Sequence, residues 1–301
     1  MKKPLLPVLL LSAAFALSAC NSTTPQSVDN GSSVSTTSSV AYEVEQTPDP
    51  TPADAPSQIE ETVLFDENGI KITAKGIDHD SLAGPEIQLL IENNGSKDII
   101  VQPNLCVVNG FTVQTSMSST VTSGKSANDS VTIMESSLSD ANIGKFEEIS
   151  IDLKIADANT YSTDAATGLI SLKTNYYGQN MQTYDDAGTV VYEADGIKIV
   201  SQGVEDQTMG KSVRFYVQND RDYPVMISAN DVSLNGFMVD ESMSITAAQH
   251  SKAIGYMTLL NPSLEENSIE DISDIEMSFT IINADELTQY ETTDKVNFTV
   301  E

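Results

Sequence analysis

Apolar and polar residues alternate along this 301-residue chain from about residue 62 onward. Ile70-Lys71-Ile72-Thr73-Ala74 follows a period of two, and Val213-Arg214-Phe215-Tyr216-Val217 is read the same way. That period belongs to a strand with one buried face. Asp66-Glu67-Asn68-Gly69 and Asn109-Gly110 interrupt the apolar runs. Asn-Gly favours a two-residue hairpin, because a type I′ turn needs positive φ at both central residues. Short strands between polar turns, spaced roughly ten residues apart, predict β-sandwiches of seven or eight strands. One helical turn is expected late in the chain, with Asn261 as its cap, Pro262 at its first position and Leu264 packed inward. A counterpart is expected around Leu138.

The pattern repeats. Asp66 to Ile72 recurs as Glu193-Ala194-Asp195-Gly196-Ile197-Lys198-Ile199, and Gly76 as Gly203. Ile91-Glu92-Asn93 matches Val217-Gln218-Asn219, and Asn109-Gly110-Phe111 matches Asn235-Gly236-Phe237. Met117-Ser118 returns as Met243-Ser244, and Ile149–Ile155 aligns with Ile275–Ile281. The register holds at about 126 residues, slipping by one only in the loop after Gly76 and Gly203. The expected fold is all-β: two tandem Ig-like β-sandwich domains, 62–174 and 189–301, joined by a linker at 175–188. That linker carries Tyr176, Tyr177, Met181 and Tyr184 and is expected to pack rather than hang free.

The first sixty residues read differently. Lys2 and Lys3 precede an apolar stretch from Leu5 to Ala16 that is broken by Pro7. It falls short of the roughly 20 apolar residues a spanning helix needs, so a cleaved leader at 1–19 is the expectation. Leu17-Ser18-Ala19-Cys20 resembles the lipobox of bacterial lipoproteins. The resemblance implies cleavage before Cys20 and a diacylglyceryl group on its sulfur, with two acyl chains sufficient for stable anchoring. Residues 20–61 are rich in Ser, Thr, Pro, Asp and Glu, and Thr47-Pro48-Asp49-Pro50-Thr51-Pro52 lies among them. Such a segment buries too little apolar surface to offset its ordering entropy. A disordered tether is expected, spanning on the order of 35 Å if it behaves as a flexible coil.

Taken together, both repeats resemble the Ig-like (telokin-like) domains of uncharacterised lipoproteins from Gram-positive bacteria. The features that carry the likeness are the acidic opening, the Asn/Asp-Gly-Ile-Lys-Ile run and the Asn-rich turn at Glu92-Asn93-Asn94. The resemblance implies a fold and an extracytoplasmic location at the bacterial cell membrane. It implies no activity, no cofactor and no site residue beyond lipidated Cys20.

Composition narrows the function further. The formal net charge is -29, and a nucleic-acid role would need a basic patch that this chain lacks. The same acidity disfavours direct adhesion to anionic lipid, and it suits solubility at a cell surface. Glu265, Glu266, Glu270, Asp271, Asp274 and Glu276 crowd together in the second repeat. A calcium site is the sharper reading of that cluster, although no D-x-D-x-D-G loop is present. Cys106 aligns with Val232, which points to core filling rather than a nucleophile or ligand. His79 and His250 have no counterparts in the other repeat, which is thin material for zinc or general-base work. Met226, Met257, Met134 and Met277 align with aliphatic residues, so core packing is expected rather than copper binding. No nucleophile elbow, Walker loop or zincin motif occurs.

The expectation is a non-enzymatic surface lipoprotein that binds a protein or cell-wall partner through loops or strand edges. A small-ligand or calcium carrier and a structural spacer are the alternatives. Val225-Met226-Ile227 and Ile99-Ile100-Val101 place apolar residues on both faces of a strand. They mark an inter-domain or partner-facing surface, or else a strand covered on both sides.

Overall fold

The computed structural model describes residues 55–300. Lipidation at Cys20, the leader and most of the expected tether lie outside the described residues. The described chain is mostly β-strand with two short helices. In chain order the first half holds β1 (Thr62–Glu67), β2 (Ile70–Asp78), β3 (Glu86–Asn93), β4 (Ile99–Val108), β5 (Phe111–Thr112), β6 (Thr115–Ser116), β7 (Ser119–Val121), β8 (Lys125–Ile133), α1 (Glu135–Asp140), β9 (Glu148–Asp157), β10 (Thr163–Ala166) and β11 (Ile170–Lys173). The second half repeats that order: β12 (Thr189–Ala194), β13 (Ile197–Gln207), β14 (Gly210–Asn219), β15 (Val225–Leu234), β16 (Phe237–Met238), β17 (Glu241–Met243), β18 (Ile245–Ala247), β19 (Ser251–Leu260), α2 (Asn261–Glu266), β20 (Asp274–Asn283), β21 (Tyr290–Thr292) and β22 (Val296–Thr299).

The turns follow the sequence closely. Asn68-Gly69, Asn109-Gly110, Asp195-Gly196 and Asn235-Gly236 all have positive φ at both residues. Each closes a two-residue hairpin, for example Glu67 opposite Ile70 and Leu234 opposite Phe237. The helix differs from expectation at its start. Asn261 is its first residue, extended Leu260 stands in the cap position, and no side chain caps it. The Asn261 amide instead donates to the Met209 carbonyl at 3.0 Å. Leu264 and Leu138 are both buried, as expected.

Three sheets result. One is five-stranded, in the order β1-β2-β3-β8-β6. A six-stranded sheet runs β16-β15-β20-β21, with β18 on β15 and β22 on β20. Between them an eleven-stranded sheet runs β10-β9-β4-β5-β19-β14-β13-β12 and so passes from one half into the other. The crossing point is short. Phe111 and Thr112 pair in parallel with Lys252 and Ala253.

Each half has its own apolar core. Ile72, Ile91, Val101, Val131, Ile151 and Phe146 belong to the first, and Ile199, Phe215, Val217, Ile227, Met257 and Phe279 to the second. Met257 and Met277 are fully buried, and Cys106 and its counterpart Val232 are both buried. The Ile99–Val101 and Val225–Ile227 strands bury their outer two residues and half-bury the middle one. They lie inside their sheets, and contact between the halves does not run through them.

Residues 55–61, placed in the tether by the sequence, pack on the first half. Ser57 is buried and accepts a hydrogen bond from the Phe146 amide at 2.8 Å. Ile59 forms a bridge with Thr174 and joins the first core. Burial of Ser57 and Ile59 and paired backbone hold this stretch, although most of its residues are polar or acidic.

Two local devices recur at equivalent places, one a buried asparagine and the other a glycine. Asn93 is buried; its Nδ2 donates to the Lys97 and Val121 carbonyls, both at 2.8 Å, and its Oδ1 accepts from the Gly95 amide at 3.0 Å. Asn219 donates to the Tyr223, Ala247 and Ala248 carbonyls and accepts from the Arg221 amide. Gly84 and Gly210 form the second device. At φ 131 and φ 154 respectively, a Cβ on either would sit about 2 Å from a carbonyl oxygen, that of Ile133 or Leu259.

Candidate functional site

The acidic segment does not converge. Glu265, Glu266, Glu270 and Asp271 are exposed. Glu276 pairs with Lys295 Nζ at 2.8 Å. Asn235 orders the backbone here, donating to the Asp271 carbonyl and accepting from the Ser273 and Asp274 amides. Among the described residues, no three His, Cys, Asp or Glu side chains are grouped to hold a metal ion. His79 is exposed, with Nε2 at 2.8 Å from the Ser57 carbonyl oxygen, and His250 meets Asp222 at 2.9 Å on the surface. Burial pushes the Cys106 thiol up to about 12, so it is no ready nucleophile.

The feature that stands out is the joint between the halves. Phe111 is a buried anchor at the tip of the Asn109-Gly110 hairpin. Its ring meets Tyr184 edge-on at 5.9 Å and Tyr216 at 6.5 Å, while Tyr184 and Tyr216 stack at 6.3 Å. Lys252 Nζ lies 4.5 Å from the Tyr184 ring centre, a cation–π contact. Val200 and Tyr216, from the outer face of the second half, belong to the core of the first. Polar pairing completes the seam. The Lys252 amide donates to the Gly110 carbonyl at 2.8 Å, the Ala248 amide donates to Thr112 Oγ1 at 2.9 Å, and Thr112 Oγ1 and Ser251 Oγ are 2.8 Å apart.

Asp140, the last residue of α1, makes a second bridge. Arg214 Nη2 donates to its carbonyl at 2.6 Å, and Tyr256 Oη donates to its carboxylate at 2.8 Å. Arg214 Nη1 donates to Tyr256 Oη at 2.9 Å and Arg214 Nε to Gln202 at 3.0 Å. Burial first, then the bond to Asp140, pushes the Tyr256 hydroxyl up to about 12.

The connecting segment is strapped down as well. The Glu147 carboxylate accepts from the backbone amides of Asn180, Met181 and Gln182 at 3.0, 2.5 and 3.3 Å. Tyr176 is buried against the first half, and Tyr184 reaches both halves. Of the four large apolar side chains expected to pack the linker, Tyr176 alone is buried; Tyr177, Met181 and Tyr184 are exposed, and the hydrogen bonds to Glu147 rather than apolar burial hold that stretch.

Beside this joint a cleft of about 550 Å³ opens between the halves. Its walls are the irregular stretch 103–106 of β4, residues 112–115, the helix α1, residues 244–246, and 254–256 of β19. Asp140 and Tyr256 line it and also line a second cavity of about 560 Å³ beyond them. Sequence reasoning missed both the joint and the cleft. A signal was present on β19: Lys252, Ile254 and Tyr256 stand where β8 has Ser126, Asn128 and Ser130.

No protein-family model and no curated protein matches this chain. No helix among the described residues is long and apolar enough to cross a membrane.

Proposed function

We propose that this chain is a non-enzymatic surface lipoprotein of a bacterial cell membrane. Lipid on Cys20 holds it there. Its two Ig-like sandwiches form one stiff unit that presents a binding surface to a partner in the envelope or outside the cell. The strand order supports the Ig-like assignment. In Ig terms β2-β3-β8-β6 runs A-B-E-D and β11-β9-β4-β5 runs G-F-C-C′, and the second half is arranged alike within its sheets. The location rests on Leu17-Ser18-Ala19-Cys20 and the basic, apolar leader before it.

The observation that carries the binding role is the joint. A spacer needs length alone. Here the chain invests a buried Phe111, a shared sheet, the Asp140–Arg214–Tyr256 bridge and a strapped linker in fixing one half against the other. A fixed angle holds the surfaces of both halves in register for a single ligand.

The test is made on cells. Cys20→Ala is expected to move the protein from the membrane fraction to the medium. A photo-crosslinker at Ser244 is expected to capture one dominant envelope component, and one at Gln88, exposed on β3 of the five-stranded sheet and outside the cleft lining, to capture none. Rescue of the deletion phenotype by an unrelated spacer of equal length would contradict the reading.

A further inference from the structure

We propose that the cleft between the halves is a binding site for a neutral oligosaccharide. This rests on the reading of the chain as a surface binding module and names the class of ligand that module takes.

The first argument is charge. The chain carries 44 Asp and Glu residues against 15 Lys and Arg. The cleft lining contains a single ionisable carboxylate, that of Asp140, which accepts a hydrogen bond from Tyr256 Oη and lies 3.9 Å from Arg214 Nη1. Such a lining in so acidic a protein favours an uncharged ligand, since a cation would be drawn to the acidic surface elsewhere and an anion repelled by it.

The second argument is the type of polar group. Thr115 and Ser136 face the cleft from the first half, and Ser244 and Thr246 from the second. Their hydroxyls, and the side-chain amide of Gln114, have no hydrogen-bond partner among the described residues. Hydroxyls and amides both donate and accept, which is what a ligand made of hydroxyl groups requires. Tyr256 adds an aromatic ring to the wall. The volume lies within the roughly 300–1,000 Å³ of small-ligand sites, and such sites favour the seam between two compact units. A peptide is the weaker fit. A bound extended peptide pairs with the backbone of an exposed strand edge, and the edge strands on the cleft, β6 and β18, are only two and three residues long.

The third argument is preorganisation. The two walls belong to different halves, and the Asp140–Arg214–Tyr256 bridge fixes their separation. A ligand that spans both walls therefore incurs little ordering cost in the protein.

The experiment titrates the purified full-length protein with trimers of β-1,4-linked N-acetylglucosamine, β-1,4-glucose, α-1,4-glucose and mannose, read by calorimetry and ligand-observed NMR. At least one is expected to bind saturably with Kd below about 1 mM. Ser136→Trp and Thr246→Trp fill the cleft from opposite walls and are expected to weaken that binding at least about tenfold. Thr120→Trp, at the place in the first half that matches Thr246, is expected to leave it unchanged. Absence of binding by every trimer, or binding indifferent to both cleft-filling variants, would overturn the inference. If the crosslinker at Ser244 still captures an envelope protein in that case, the proposed function stands without the saccharide.

Discussion

Phe111 and Phe237 occupy the same place in their respective halves, each following an Asn-Gly turn, yet Phe111 is 1% exposed and Phe237 is 51% exposed. The difference comes from the second half, whose β19 pairs with β5 and whose Tyr216 closes over Phe111. Nothing described covers the corresponding edge of β16. Phe111→Ala is therefore expected to lower stability by about 3–5 kcal/mol. Phe237→Ala should cost about 1 kcal/mol or less. Urea unfolding of the two variants measures the contrast, and equal losses would mean that the joint does not form.

Asn93 and Asn219 should be intolerant of apolar replacement. Asn93→Leu strands the Lys97 and Val121 carbonyls and the Gly95 amide. Each buried group left unpaired costs about 1–3 kcal/mol, so a loss of at least about 2 kcal/mol is expected. Asn219→Leu should behave alike, and hydrogen exchange should report the damage first at 94–98 and 220–224.

Alkali should loosen the joint. Tyr256 has an ordinary value of 10.0 and is raised to about 12 in the folded chain. Between those values the unfolded chain loses this proton while the folded chain keeps it. The stabilisation is thus full below pH 10.0 and is lost as pH rises toward about 12. Tyr216, also raised chiefly by burial, acts in the same direction. Tyr256→Phe is expected to flatten the fall in Tm over this range; an unchanged slope would remove Tyr256 from the account.

Cys106 should be silent toward thiol reagents at neutral pH. It is buried and its thiol is pushed up to about 12 from 9.0. Labelling is expected to follow the rate of global unfolding and to accelerate in Phe111→Ala. Rapid labelling of the unaltered protein would mean that the thiol is reached from the cleft, whose wall includes Cys106, or that β4 opens locally.

The legible and hidden parts of this fold divide by where the residues point. Inward positions recur between the repeats, so Ile72 and Ile199, Leu138 and Leu264, and Cys106 and Val232 could be placed from sequence by alternation and alignment. The Asn-Gly turns were legible because positive φ at both residues restricts composition. The joint was hidden because it uses outward positions. Phe215, Tyr216 and Val217 are all fully buried, so the outward tyrosine defeats a one-sided reading of β14. Asp140 gave no signal at all, since its partners Arg214 and Tyr256 lie in the other half. Gly84 and Gly210 were also missed, because the carbonyls that exclude a side chain there come from β8 and β19. The acidic run misled in the opposite direction: adjacency in sequence did not bring its carboxylates to one point.

The claim on which the rest stands is that the two halves form one rigid unit. Spin labels at Ser118 and Glu270, both exposed and in different halves, measure it directly by pulsed dipolar spectroscopy on the purified protein. A single narrow distance distribution is predicted, broadening when Arg214→Ala and Phe111→Ala are combined. A broad distribution in the unaltered protein would contradict the account.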